Sequence, residues 1–92
     1  MTTETDERVR HDLDDALWRP WIDRVADALG VDAAGVDVEL IHSLTRVVAH
    51  EFQRPMAPVA AYILGLAVGA HGRPADELRD AIVDVVRESA TR

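Results

Sequence analysis

The sequence predicts an all-α fold, a four-helix bundle-like single domain around a central apolar helix, and three observations predict it. Apolar residues recur at spacings of three and four along separate stretches, the period of a helix with one face turned inward. No stretch alternates apolar and polar residues as a half-buried strand does. Ninety-two residues are too few to divide their apolar side chains between two cores.

Each element follows from local chemistry. Residues 1–12 are polar, with Val9 the one apolar side chain between Thr2 and Asp12, and are expected to form a mobile acidic tail ahead of a helical domain at 13–90. From Leu13 the apolar positions run Leu13, Leu17, Trp18, Trp21, Ile22, Val25 and Leu29, one helical stripe. Pro20 interrupts it by removing an amide donor and disfavouring α geometry at Arg19. The stripe keeps phase across Pro20, so the expectation is a bent helix or a short turn feeding a helix that starts there. Gly30 is its expected C-terminal cap.

Asp32 to Val36 reads as a connector, and Asp37 has the chemistry of an N-cap. The second helix is expected to turn Val38, Ile41, Leu44, Val47, Val48 and Phe52 inward. Glu39, His42, Ser43, Arg46, His50 and Glu51 fall outward or at its margins. Pro55 and Pro58 bar continuation, and Pro58 suits the first turn of a third helix. That helix runs to about Ala70, and from Pro55 to Ala70 no residue is charged. Sixteen residues fall short of the ~20 that span a bilayer, so the expectation is a buried core helix rather than a membrane segment. Pro74 opens a last helix with Asp76 and Glu77 in its first turn, where the helix dipole favours them. Leu78, Ile82, Val85 and Val86 form its expected stripe.

Composition excludes several chemistries. The chain has no cysteine, hence no disulfide, thiolate metal site or thiol nucleophile. All ten cationic residues are Arg, so Schiff-base chemistry and a phosphate-loop lysine are ruled out as well. The net charge of −7 repels a phosphate backbone, and no nucleic-acid partner is expected. The opening residues lack a basic start followed by an apolar run, which leads to an expected cytoplasmic location.

No catalytic signature is present. Ser43, Thr45 and Ser89 lack a glycine-framed elbow, and the paired carboxylates Asp14 and Asp15 stand in a charge-rich segment. Glu39 and His42 match one half of a di-iron bundle motif whose second half is missing. Neither a metal nor another cofactor is expected.

Two constellations remain. Ala57, Ala61, Gly65 and Gly69 recur every four residues and form a ridge with almost no bulk, expected to serve helix packing; lining a ligand groove is the sharper alternative. His50 and Arg54, with Pro55, Pro58 and Tyr62, are the candidate binding residues at the start of the third helix. There, free amides and the dipole can hold an anion, unless the two cations cap the second helix. A helix apolar on every side needs cover on every side. That need points to a homodimer or a protein partner.

The run Arg46-Val-Val-Ala-His50, then Arg54-Pro55-x-Ala57-Pro58, then Tyr62-Ile-Leu-Gly65-Leu-Ala-x-Gly69 resembles a small domain of unknown function from high-GC bacteria. That domain occurs alone or fused to molybdenum cofactor guanylyltransferase, the enzyme that joins molybdopterin to GMP. The likeness covers most of residues 13–88, while Pro20 and the long acidic tail depart from it. It implies a non-catalytic accessory or protein-interaction module near molybdopterin–guanine dinucleotide biosynthesis, with that transferase as candidate partner. The alternative is a small domain binding an anion, a nucleotide or a pterin.

Overall fold

The computed structural model describes residues 3–90, with side chains over 16–89. Four α-helices follow one another: α1 (Thr3–Leu29), α2 (Val38–Glu51), α3 (Ala57–His71) and α4 (Ala75–Ala90). Short 3-10 turns at Ala33–Gly35 and Arg54–Met56 precede α2 and α3, and no strand occurs among the described residues. The all-α expectation holds. The chain divides at the start of α2 into two compact units, one up to Val38 and one from Glu39 onward.

In the first unit, α1 is continuous from Thr3 through Pro20, so no new helix starts at the proline. It also runs through residues 3–12, where the sequence predicts a mobile tail; the side chains of 3–15, Leu13 included, lie outside the described residues. Acidic residues at Glu4, Asp6 and Glu7 suit the positive end of a helix dipole. At the other end Gly30 sits at φ +71°. Its amide donates to the Asp27 carbonyl at 3.2 Å, and the Val31 amide to that of Ala26 at 2.9 Å. This paired closure over a left-handed glycine is the Schellman arrangement, so the expected cap is in place. Asp32 accepts from the Ala34 amide at 2.9 Å and starts the 3-10 turn. Arg19 then holds that turn, donating to the carbonyls of Ala33, at 3.0 Å, and Val36.

The second unit contains the core. Leu44 and Val48 of α2, Ala60 and Leu64 of α3, and Leu78 and Val86 of α4 form one buried cluster, flanked by the half-buried Leu40, Val47, Ala67, Ile82 and Val83. Backbones approach most closely between α3 and α4. Polar pairs link α4 to α2: Arg79 donates to Ser43 Oγ at 3.3 Å, and Arg87 to Glu51 Oε1 at 3.3 Å. Both partners advance by eight residues, so α2 and α4 run the same way, and α3 is the antiparallel return between them.

The core corrects three expectations of inwardness. Phe52 lies past the end of α2 and is exposed. Val85 is exposed while Val83 packs on the core, so the buried stripe of α4 is rotated from the expected one. The third correction concerns α3, which is not wrapped. Only Ala60 and Leu64 are buried along it; α2 and α4 cover one side, and this unit has no further helix for the other.

Candidate functional site

The outer side of α3 is the feature that calls for a function. Ala60 and Leu64, supported by Ala57, Ala67 and Val68, face the core. Val59, Tyr62, Ile63 and Leu66 are exposed, Tyr62 at 70% and Leu66 at 56%. Their spacing of three, one and three residues gathers them on a single stripe about a third of a turn from the core stripe. Thus α3 carries two apolar seams at helical period, one covered and one open. No charged residue interrupts the open seam.

The small-residue ridge lies beside this open seam. Ala57 and Ala61 are half-buried, whereas Gly65 and Gly69 are exposed. A Cβ built on either glycine meets nothing within 4 Å. No helix of this unit packs on the glycine end of the ridge, so the expected helix packing does not account for Gly65 and Gly69. An exposed helical glycine costs up to about 1 kcal/mol against alanine, which the fold of this unit leaves uncompensated.

The predicted binding residues His50, Arg54, Pro55, Pro58 and Tyr62 are all exposed. His50 ends α2, Arg54 and Pro55 open the 3-10 turn, and Pro58 is in the first turn of α3. That turn feeds the chain directly into α3: the Met56 amide donates to the Gln53 carbonyl at 3.0 Å, and the Ala57 amide to that of Arg54. Arg54 therefore brings positive charge to one end of the open seam. At the other end Gly72 closes α3 at φ +63°, its amide donating to the Val68 carbonyl at 3.0 Å. His71 and Arg73 stand there, Arg73 in an exposed pair with Glu77 at 3.5 Å. The open seam is a neutral strip with cations at both ends.

A second uncovered stripe, described by itself, belongs to α1. Leu17, Trp21, Val25 and Leu29 recur every four residues and are all exposed, Trp21 at 67%. These residues were predicted to face a core. Ala26 and Arg19 occupy the opposite side, Ala26 buried and Arg19 holding the 3-10 turn. The period of these side chains was legible; which period met a neighbour was not.

The hydroxyls predicted to lack a catalytic setting donate within their own helices: Ser43 to Leu40, Thr45 to His42 and Ser89 to Val85. Among the described residues no three His, Asp or Glu side chains stand together as a metal would require. No helix there is long and apolar enough to cross a membrane.

The family described as a domain of unknown function, DUF6457, matches residues 13–92, and the chain belongs to it. No curated protein and no solved structure matches the chain.

Proposed function

We propose that this member of the DUF6457 family is a non-catalytic protein-docking module whose contact surface is the open seam of α3. The observation that carries the reading is the exposed stripe Val59, Tyr62, Ile63 and Leu66 on a helix with no charge from Pro55 to Ala70. Water gains nothing from this stripe, and a partner that covers it gains the burial free energy, about 25 cal/mol per Å². Tyr62 suits the centre of such a contact, since its ring offers apolar area and its hydroxyl stays available for a hydrogen bond.

The resemblance to domains fused to molybdenum cofactor guanylyltransferase supplies the candidate partner, and with it a role in a bacterial cytoplasm. Docked there, the module stabilises the transferase or presents it to an acceptor enzyme. Purified chain and purified transferase, titrated by calorimetry, test the reading. Binding is expected for the native chain and not for Tyr62→Glu or Leu66→Glu, with helix content by circular dichroism unchanged because both side chains are outside the core. Charged variants that behave like the native chain in every association it makes refute the docking surface.

A further inference from the structure

Resting on α3 as the docking face, we infer that a second copy of this chain occupies it when the chain is alone, the two α3 helices running antiparallel. Every residue used here lies in the unit from Glu39 onward. Register is the first support. Met56, the right-handed residue that caps α3, and Val59, Ile63, Leu66 and Ala70 are all exposed. Their spacing of three, four, three and four is the seam of a two-helix coiled pair. Reversed on itself about a twofold axis between Leu64 and Gly65, the seam sets Ile63 against Leu66 of the second copy and Val59 against its Ala70. Apolar meets apolar through all of these layers. Tyr62 and Gly69 each stand one position before the seam, and therefore on the same edge of it. Antiparallel pairing joins like edges, so the Tyr62 ring lies over the backbone that Gly69 of the second copy leaves bare.

Charge is the second support. Among the described residues Arg54, just ahead of the seam, has no ion pair, and the Asp76 carboxylate accepts only from the Glu77 amide. The reversal carries Arg54 to the start of α4 in the second copy, where Asp76 and Glu77 outnumber Arg73. A parallel pairing sets Arg54 against Arg54 and Asp76 against Asp76, so complementarity selects the antiparallel one.

The third is area. At about 200 Å² for an aromatic and about 100 Å² for an aliphatic side chain, the exposed parts of Met56, Val59, Tyr62, Ile63 and Leu66 come to about 320 Å² per copy and about 650 Å² for two. Homodimer interfaces are about 65% apolar, so this patch corresponds to about 1,000 Å² in total, the lower edge of a specific interface. The contact is isologous and closes at two copies. Its size sets a Kd on the order of 10 μM.

Light scattering on the full chain at 100 μM, about tenfold above that Kd, is expected to approach twice the 10.1 kDa mass. A native chain that stays monomeric there overturns the pairing. Leu66→Glu strikes the contact twice by symmetry. It is expected to keep native helix content and to weaken association at least about 30-fold, the size of a hot-spot loss; a variant that dimerises as the native chain does overturns the pairing. Orientation is read by introduced cysteines, since the chain has none of its own. Val59 and Ala70 of one chain stand about 16.5 Å apart along α3, too far for a disulfide within it. Val59→Cys mixed with Ala70→Cys is expected to give a covalent dimer on oxidation, and Val59→Cys alone is not. Val59→Cys that crosslinks to itself marks parallel pairing and overturns the register, as does a mixture that fails to crosslink. If the native chain is monomeric while Leu66→Glu abolishes transferase binding, the docking reading stands and only the second copy is lost.

Discussion

Leu64 and Leu66 are the same residue type two positions apart on one helix, and the structure assigns them opposite fates. Leu64 is 4% exposed within the core and Leu66 is 56% exposed on the open seam. Truncating Leu64 to alanine removes buried methyl groups and leaves a cavity bounded by Leu44, Val48 and Leu78, a loss of about 2.7–5 kcal/mol. Truncating Leu66 gives up only the covered part of its side chain, about 1 kcal/mol or less. The separation is therefore at least about 2 kcal/mol, or some 8–16 °C in Tm at about 4–8 °C per kcal/mol for a domain of this size.

Thermal and urea unfolding followed by circular dichroism reads this difference directly. Any association through Leu66 would add a component that depends on protein concentration, so the comparison belongs at the lowest concentration the signal allows. There Leu64→Ala keeps its full deficit and Leu66→Ala approaches the native chain. Equal losses for the two variants at that concentration refute the assignment of inner and outer seams, and with it the docking surface.

Three further outcomes follow from single residues. Gly65→Ala and Gly69→Ala are each expected to stabilise the isolated fold by about 0.5–1 kcal/mol in urea titration, since the added Cβ meets nothing and the helix gains propensity. Gly72→Ala is expected to lose about 1–2 kcal/mol, because a side chain at φ +63° is strained however open the space; Gly72→Asn recovers part of it. Arg19→Ala is expected to lower hydrogen-exchange protection around Ala33–Gly35, with a cost of about 1.5–3 kcal/mol for its charged hydrogen bonds. Arg19→Lys fails to restore it, since two carbonyls need the two arms of a guanidinium.

Much of the architecture was legible because it depends on neighbours in the chain. Helix periodicity, the prolines at the entries to α3 and α4, and the cap at Gly30 are decided within a turn or two. The surroundings of the binding candidates were not legible: Pro58 and Tyr62 belong to the helix expected to be buried, yet with His50, Arg54 and Pro55 they are exposed, and nothing local says what meets them. The part Arg19 plays in holding the 3-10 turn was not legible, because its acceptors at Ala33 and Val36 are backbone atoms that carry no sequence signal.

What the sequence determined by itself was composition and period: an all-α chain without cysteine or lysine, acidic in sum, with one stretch free of charge. What only the tertiary structure decided was which side of each helix found a neighbour. An amphipathic helix has one apolar arc and so announces its inner face, as α2 does with Leu44 and Val48. A helix apolar on all sides, such as α3, announces none, and an apolar stripe such as that of α1 specifies burial without naming the surface that provides it. Burial is a property of pairs of surfaces, and a single chain read alone shows only one member of each pair.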